Sequence, residues 1–427
     1  MEDTQQPELI FRGHSHLQIN LGDTTLLCDP WAGGKVFNNS WALLKEHPLD
    51  PASFMDNLCI WVSHERPDHL HFPTLKAIRA SRKGKISFYY RKQSNKNVCQ
   101  AMAELGFDVH EIEAEQTVEV GSNLKLTSLP FGTDCAAMIE AGGKFILNQN
   151  DLIAPTKMAK DIKRRFKKID AWFFQFSLAG YYGNENEPLR LHAAHDSHLD
   201  LIKKYHIFQP DIYVPFASFV YFCKRGNFYL NKYRVHPKEA VAMAPKGSAQ
   251  LLWFDDRLIW QGCPPNRNQE NIERWNSVWE QSLNDASSKS LDQSHLNEAA
   301  QDFLNEITSQ IPRFLRPGKV KVRLRESQGW ALIDLRHKRF VSNSQPVPNP
   351  DAEVGDDDLL FFFKFPWGAD TLNITGNLLI NNQFRWRWLA YLKHANYIYR
   401  DRPGFIRGII ALIGALVRSW QYKAVKY

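Results

Sequence analysis

The segment CIWVSHERPDHLHF, residues 59–72, decides the fold of this chain. Its first residues are apolar and rich in β-formers, and they run directly into a polar stretch that opens at Ser63. His64, Asp68 and His69 follow within six positions, and each side chain can bind a metal. A loop allows such side chains to converge, whereas a strand would send them to opposite faces. Because imidazole and carboxylate together suit zinc, iron or manganese, the segment predicts a strand that ends in a metal-binding loop.

The segments around this loop predict strands first and a mixture of strands and helices later. Residues 9–30 read as short strands with tight turns, and Gly142-Gly143 joins two apolar runs as a hairpin. Further strands are expected at 86–90, 108–113, 124–129, 171–176, 211–217, 251–254 and 257–260, and helices at 74–81, 97–105, 154–168 and 198–205. This order fits an α+β fold, an αββα sandwich, better than a strict βαβ repeat.

The composition is that of a globular protein in a reducing compartment. Of the 427 residues, 44% are hydrophobic and 23% are charged. The net charge of +7 is too small for this length to predict nucleic-acid binding, but it leaves anionic substrates and membrane surfaces open. The six cysteines include no CxxC pair, so neither a disulfide framework nor a cysteine metal site is expected. Without a secretory signal at residues 1–11, we expect a cytoplasmic protein.

The metal-competent loop resembles the HxHxDH motif of the metallo-β-lactamase superfamily, with Arg66 in place of the second histidine. GHS (13–15) and LQINLGDTTLLCDPW (17–31) resemble the entry strands of the branch related to L-ascorbate-6-phosphate lactonase. DPW (29–31) and SHERPDHLHFPTLK (63–76) are most similar to the catalytic domain of the CMP-N-acetylneuraminate hydroxylase family. The resemblance covers residues 9–240 and implies a metallo-β-lactamase fold for residues 1–263. In that family, this domain carries a non-haem iron that receives electrons from a Rieske domain.

Carried over residue by residue, the resemblance implies one metal rather than two. Asp151, at the end of a strand after the hairpin, falls at the position of the family's bridging aspartate. The histidines of the third and last family motifs are missing, and Arg66 replaces another ligand. The site that remains is formed by Asp68, His69 and Asp151, with His64 as a further ligand. Three ligands with open positions are typical of a catalytic site, and this set favours iron, or else manganese or zinc, over copper.

Three functions remain open at this point. The first is a non-haem iron oxygenase that uses His64, Arg66 and His195 in catalysis. Because the chain has no Cys-x-His pair of a Rieske domain, its electrons would come from a separate redox protein. The second is a zinc- or manganese-dependent hydrolase, of lactonase or phosphodiesterase type, in which the metal lowers the pKa of a bound water to roughly 7. The third is a metal-free scaffold in which Arg66 forms a buried salt bridge with Asp68 or Asp151.

Two further polar clusters have a functional and a purely structural interpretation. His192, His195 and His198 can supply missing ligands or act in acid–base catalysis, or they can belong to a solvated loop that leads into a helix. Residues 157–168 carry seven basic side chains and one acidic side chain. This segment is either an exposed helix face or a site of attraction for a phosphate-bearing substrate.

The composition changes after residue 263. Residues 264–314 are polar and predict a helical linker, and residues 315–427 predict a smaller α+β domain with strands at 320–326, 330–336 and 359–365. This second domain resembles the last, sterol-carrier-like domain of the hydroxylase family. The run FIRGIIALIGALV (405–417) lies in a stretch, 391–427, with seven basic residues and one acidic residue. It is either a helix on the surface of a membrane, which would hold the protein at its inner face, or a buried C-terminal helix.

Overall fold

A computed structural model of the protein describes residues 6–177, 180–181, 183–184, 188–244, 247–264, 266–283, 293–343, 346 and 348–425. Within these ranges, residues 188–197, 293 and 422–425 are described by their backbone alone.

The strands of the N-terminal half are, in chain order, β1 (Glu8–Gly13), β2 (His16–Leu21), β3 (Thr24–Cys28), β4 (Trp41–Leu43), β5 (Asn57–Val62), β6 (Ser87–Arg91), β7 (Asp108–Ile112), β8 (Thr117–Gly121), β9 (Leu124–Phe131), β10 (Asp134–Ala141), β11 (Lys144–Asn150), β12 (Ala171–Gln175), β13 (Ile212–Phe216) and β14 (Val220–Phe222). Those of the C-terminal part are β15 (Lys319–Leu324), β16 (Trp330–Asp334), β17 (Arg339–Asn343), β18 (Ala352–Val354) and β19 (Leu378–Ile380). The helices are α1 (Phe72–Ser81), α2 (Asn97–Glu104), α3 (Thr156–Phe166), α4 (Pro188–Phe208), α5 (Pro237–Met243), α6 (Arg267–Ser282), α7 (Gln293–Gln310), α8 (Asp356–Lys364), α9 (Gly368–Thr375), α10 (Gln383–Ile398) and α11 (Gly404–Val425). Short 3₁₀ turns lie at Pro51–Ser53, Phe228–Tyr233 and Arg313–Leu315.

Two six-stranded sheets pack face to face in the N-terminal half. One has the order β1-β2-β3-β5-β6-β7 and the other β13-β12-β11-β10-β9-β8. Ile19 and Leu26 of the first sheet and Leu126 and Ile139 of the second belong to one buried core. Helices α1 and α2 pack on the first sheet, and α3 and α4 pack on the second. This is the predicted αββα sandwich, so the expected fold class is confirmed.

Strand β5 shows why the decisive segment folds as it does. Leu58 and Ile60 enter the core under α1 and α2, whereas Cys59 and Trp61 enter the core between the sheets. Both faces of a strand between parallel neighbours are buried, and a nearly continuous apolar run results. The strand ends at Val62, where the polar loop begins at the edge of the sheet.

A second core forms around the sheet β17-β16-β15-β18-β19 and helices α7 to α11. The predicted strand at 359–365 is wrong, because these residues lie largely in helix α8. Asp356, Asp357 and Asp358 occupy the first turn of that helix, where acidic side chains complement the helix dipole. The strands predicted at 251–254 and 257–260 are also wrong, since only an isolated bridge between Ile10 and Arg257 forms there.

Residues 264–314, which the sequence predicts as a helical linker, contribute one helix to each core. Trp275 of α6 is fully buried in the core between the two sheets. Phe303 and Leu304 of α7 belong to the second core. None of the helices in the described ranges combines the length and the apolar character needed to cross a membrane.

Candidate metal centre

Asp29 organises the loop that follows β5. It comes directly after β3, which pairs in parallel with β5, so both strands end at the same edge of the sheet. Its Oδ1 accepts a hydrogen bond from the backbone nitrogen of Ser63 (2.7 Å), and its Oδ2 accepts one from Ser63 Oγ (2.8 Å). Oδ2 also lies 2.9 Å from Nδ1 of His69. Since a carboxylate only accepts, His69 Nδ1 donates, and the lone pair of this imidazole is left on Nε2.

Ser63 fixes the second imidazole in the same way. Its hydroxyl donates to Asp29, so it accepts from Nδ1 of His64, at 2.9 Å. His64 therefore also keeps its lone pair on Nε2. The two rings lie with centroids 4.2 Å apart. Asp29 and Ser63 thus act as outer partners that set the tautomers of two neighbouring candidate ligands.

Among the side chains that the structure describes, two groups could hold a metal ion. One consists of His14, Asp68 and His69, and the other of His64, His69 and Asp151; within each, the candidate ligand atoms lie within 4.8 Å of one another. Asp68 Oδ2 lies 3.7 Å from His14 Nε2 and 3.5 Å from His69 Nε2. Asp151 Oδ2 lies 3.8 Å from His64 Nε2 and 3.7 Å from His69 Nε2. The structure therefore brings together Asp68, His69, Asp151 and His64, which the sequence selected, and adds His14.

The buried polar atoms of these two groups of side chains fit a metal ion. Nε2 of His14, His64 and His69 are buried and have no hydrogen-bond partner. The same holds for Oδ1 of Asp68 and of Asp151. Leaving one buried polar atom unpaired costs about 1–3 kcal/mol, so five in one cluster would be a large penalty without a ligand. Their convergence, with the tautomers of His64 and His69 set for coordination, is what a divalent ion requires.

Arg66 lies beside the cluster rather than within it. Its guanidinium forms ion pairs with Asp134 (2.7 Å) and with Asp151 (3.1 Å). The metal-free interpretation predicted a salt bridge of Arg66 with Asp68 or Asp151, and the one with Asp151 is present. The carboxylates of Asp29, Asp68, Asp134 and Asp151 outnumber this guanidinium, so negative charge remains for a divalent cation.

The surrounding charges set the protonation states of the candidate ligands. Burial alone would lower the pKa of His69, but nearby carboxylates, that of Asp151 first, raise it to about 10. Burial would raise the pKa of Asp68, yet His69 and His14 lower it to about 2. Burial raises the pKa of Asp151, and it lowers the pKa values of His14 and His64. A cation bound here would therefore displace a proton from His69 and meet neutral imidazoles at His14 and His64.

Sequence reasoning missed His14 as a ligand. It lies in the tight turn between β1 and β2, with φ of 40°, and its backbone oxygen accepts a hydrogen bond from Ala217 (2.9 Å). Its ring packs edge-to-face on Trp31, at 5.5 Å between centroids. The signal in the sequence was the histidine in GHS (13–15), which follows a predicted strand just as His64 does. His195, predicted as catalytic, and His192 lie outside the residues whose side chains are described.

A narrow cavity adjoins the cluster and is lined by Asp68, Asp151, Arg66 and Arg234, among others. Arg234 is only 8% exposed, donates to the backbone oxygen of Val220 and stacks on Trp279 with its guanidinium carbon 3.9 Å from the ring centroid. No carboxylate of a described residue forms an ion pair with it. Burial lowers the pKa of Arg234 to about 9. The cavity therefore holds a buried positive charge next to the candidate ligands.

Sequence comparison finds similarity to cytidine monophosphate-N-acetylneuraminic acid hydroxylases. No family model matches the chain. The chain is 26% identical to the cytidine monophosphate-N-acetylneuraminic acid hydroxylase of Macaca mulatta over 278 residues, which cover 59% of this chain and 45% of the relative. It is 27% identical to the enzyme of the same name from Cricetulus griseus over 232 residues, or 50% of this chain and 40% of the relative. The chain thus spans less than half the length of these relatives.

Solved structures show more distant similarity. CmlA, a diiron β-hydroxylase from Streptomyces venezuelae, aligns with a TM-score of 0.43 and 17% identity over 60% of this chain and 54% of its own. The metallo-β-lactamase fold protein YhfI from Bacillus subtilis aligns with a TM-score of 0.40 and 12% identity over 60% of this chain and all of its own. The chain itself has two facing sheets covered by helices, with the HxRxDH loop at the end of strand β5. By its αββα sandwich and its HxRxDH loop the chain resembles the metallo-β-lactamase superfamily, and its sequence is similar to the cytidine monophosphate-N-acetylneuraminic acid hydroxylases over more than half of its length.

Proposed function

We propose that the protein is a non-haem iron oxygenase that binds one metal ion and receives electrons from a separate redox protein. The observation that carries this proposal is the group His14, Asp68 and His69, with its unpaired buried ligand atoms. Two histidines and one carboxylate with open positions are the ligand set of many non-haem iron(II) oxygenases. The similarity to hydroxylases over more than half of the chain supports the same reaction class.

A bound iron would supply the activation of dioxygen, and the protein would position the reactants. In the hydroxylation, one oxygen atom enters a C–H bond of the substrate and the other leaves as water, which consumes two electrons and two protons. Asp29 and Ser63 hold the imidazoles of His69 and His64 in fixed tautomers. Arg66 holds the carboxylate of Asp151 at the mouth of the cavity.

An anionic substrate fits the charges of the cavity. Arg66 and Arg234 both line it, and Arg234 has no carboxylate partner among the described residues. Within the described residues this buried guanidinium donates to the neutral oxygens of Val220 and Ser282, so a phosphate or carboxylate of the substrate would supply the charge partner it lacks there. The relatives are named for a cytidine monophosphate-linked sialic acid, so we propose a phosphate-bearing sugar of this kind as the first substrate class to test.

The electron donor is proposed to dock on the basic helix α3. This helix begins shortly after Asp151 and exposes Lys157, Lys160 and Arg164. An acidic redox protein would be attracted to such a face, and the rate of its association would fall with rising salt. The six cysteines are free in the structure, and a cytoplasmic location remains part of the proposal.

The first test is metal content together with turnover. The full-length protein would be purified without chelator, analysed by elemental mass spectrometry, and then given iron(II), a chemical reductant, dioxygen and CMP-N-acetylneuraminic acid. We expect close to one iron per chain and a product with one additional oxygen atom. Asp68→Ala should lose the metal while circular dichroism shows an intact fold, and His14→Ala should weaken its binding. Asp134→Asn, which changes a nearby carboxylate outside both ligand groups, should retain the metal.

A metal-dependent hydrolase is the second candidate, because imidazole and carboxylate ligands with an open position also serve catalytic zinc. Stoichiometric zinc or manganese with turnover of ester or phosphodiester probes, and no oxygen uptake, would replace the oxygenase proposal with this one. A folded protein that takes up none of these metals would instead show that the loop serves only as a scaffold.

A further inference from the structure

Helix α11 packs on the second domain through its smallest residues. Gly404, Gly408, Ala411 and Ala415 lie on one side of the helix, and both alanines are buried. A Cβ atom at Gly404 would lie 1.6 Å from the backbone oxygen of Gln310, so only glycine allows this approach. The helix therefore turns its small side chains inward, the reverse of an ordinary core helix.

The large apolar side chains of α11 point outward. We call them the outer stripe; they recur at spacings of three or four residues, with one adjacent pair, and they are Phe405, Ile409, Ile413, Leu416, Val417 and Trp420. Each is 43–72% exposed. A contiguous apolar face of this kind is uncommon on a soluble monomer and marks a surface that contacts something else. One side of α11 is thus buried, as the buried-helix alternative expected, and its other side is exposed.

The surroundings of the outer stripe are positively charged. Residues 391–427 contain seven lysines and arginines, of which Lys393 and Arg407 are buried, and one acidic residue, the exposed Asp401. Arg400 and Arg402 are exposed just before α11, and Arg418 is exposed near its C-terminal end. A second copy of this segment would bring like charges together, whereas an anionic surface would attract it.

We propose that the outer stripe of α11 lies on an anionic lipid bilayer, parallel to its surface. The apolar side chains would enter the boundary between headgroups and acyl chains, and the neighbouring arginines would contact anionic headgroups. Trp420 has the amphipathic ring that is enriched at this boundary. The outer stripe shares no residue with the metal centre, so this proposal does not depend on the proposed function.

The test is co-sedimentation of the full-length protein with lipid vesicles. One set contains phosphatidylcholine alone and the other contains phosphatidylcholine with phosphatidylserine. The variant Ile413→Gln/Leu416→Gln changes two exposed positions of the outer stripe. The matched control Leu199→Gln/Leu283→Gln changes two leucines that are equally exposed on other helices or their ends. Thermal unfolding of each variant checks that the fold is retained, and light scattering gives the oligomeric state.

We expect the wild type and the control to sediment with the anionic vesicles, and the outer-stripe variant to bind about tenfold more weakly or worse. Binding to neutral vesicles should be weaker, and added salt should reduce binding to anionic ones. Equal binding by the outer-stripe variant, or no binding by the wild type, would overturn the proposal. A wild-type dimer that this variant converts to a monomer would also overturn it, because a second copy would then cover the stripe.

Discussion

Nη1 of Arg66 lies 3.1 Å from Oδ2 of Asp151, the carboxylate that also faces the imidazoles of His64 and His69. One carboxylate thus faces a fixed cation on one side and a candidate metal position on the other. A divalent ion in this position must share Asp151 with the guanidinium, and it is repelled by the same positive charge. Arg66 would therefore limit how strongly this centre binds a metal ion.

Replacing Arg66 by glutamine should tighten metal binding. The change removes a positive charge beside Asp151, and we expect an affinity gain of about tenfold. Competition titration with a chromogenic chelator would measure it. Arg165→Gln, which removes an exposed guanidinium on α3, should leave the affinity unchanged. Weaker binding in Arg66→Gln would mean that the guanidinium is needed to position Asp151.

Asp29→Asn should weaken metal binding without a direct contact to the ion. The carboxylate accepts from Ser63 N with one oxygen and from Ser63 Oγ and His69 Nδ1 with the other, whereas an amide has one oxygen and one NH2 group and cannot accept on both sides, so the tautomer of His69 is no longer fixed. Loss of such an outer partner typically costs roughly 10- to 100-fold in affinity. The same chelator titration applies, with near-ultraviolet circular dichroism as a check of the fold. Unchanged affinity would show that Asp29 only supports the loop.

Lys224 joins the two cores, and its removal should destabilise the whole protein. Its Nζ lies 2.7 Å from Oδ2 of Asp357 and 2.7 Å from Oδ1 of Asp358. Lys224→Met would leave the buried carboxylate of Asp358 without its cation, at an expected cost of about 3–5 kcal/mol in the free energy of unfolding. Lys96→Met breaks an exposed ion pair with Glu111 and should cost less than about 1 kcal/mol. Urea unfolding would measure the free energy of unfolding of both variants. Equal losses would contradict the role of Lys224 as the cation that pairs with Asp358.

Glu326 should make the protein less stable as the pH rises. Burial, together with the neighbouring carboxylate of Asp356, raises the pKa of Glu326 from 4.5 to about 7. Between about pH 4.5 and pH 7 the folded state therefore keeps a proton on Glu326 that the unfolded state has already lost. The free energy of unfolding declines as the pH rises through this range. Glu326→Gln should flatten the decline and be more stable than the wild type above neutral pH. Thermal unfolding over a pH series measures this, with the exposed Glu298→Gln as a control that should follow the wild type.

The N-terminal fold was predictable because its strands have clear patterns. Strand β5 is apolar on both faces and ends abruptly in a polar loop, which fixes its place between parallel neighbours. The segment 359–365 was misread because a short apolar run has no period that separates strand from helix. The three aspartates before it were the available signal for a helix start.

The candidate site was only partly predictable. His64, Asp68 and His69 are close in sequence, so their convergence needed only a loop. His14 and Asp29 reach the same point from the turn after β1 and from the end of β3, and only the sheet order brings them there. Spacing along the chain cannot reveal that order. The resemblance led to Asp151, but it did not supply the two residues that complete and orient the ligand set.

His69 belongs to both groups of candidate ligands, and its Nε2 has a single lone pair because Nδ1 donates to Asp29. One nitrogen with one electron pair can serve only one ion at a time. The two groups are therefore alternative positions for the same ion, and occupation of one excludes occupation of the other through His69. A titration should saturate at a single equivalent of metal, even though five potential ligands surround it.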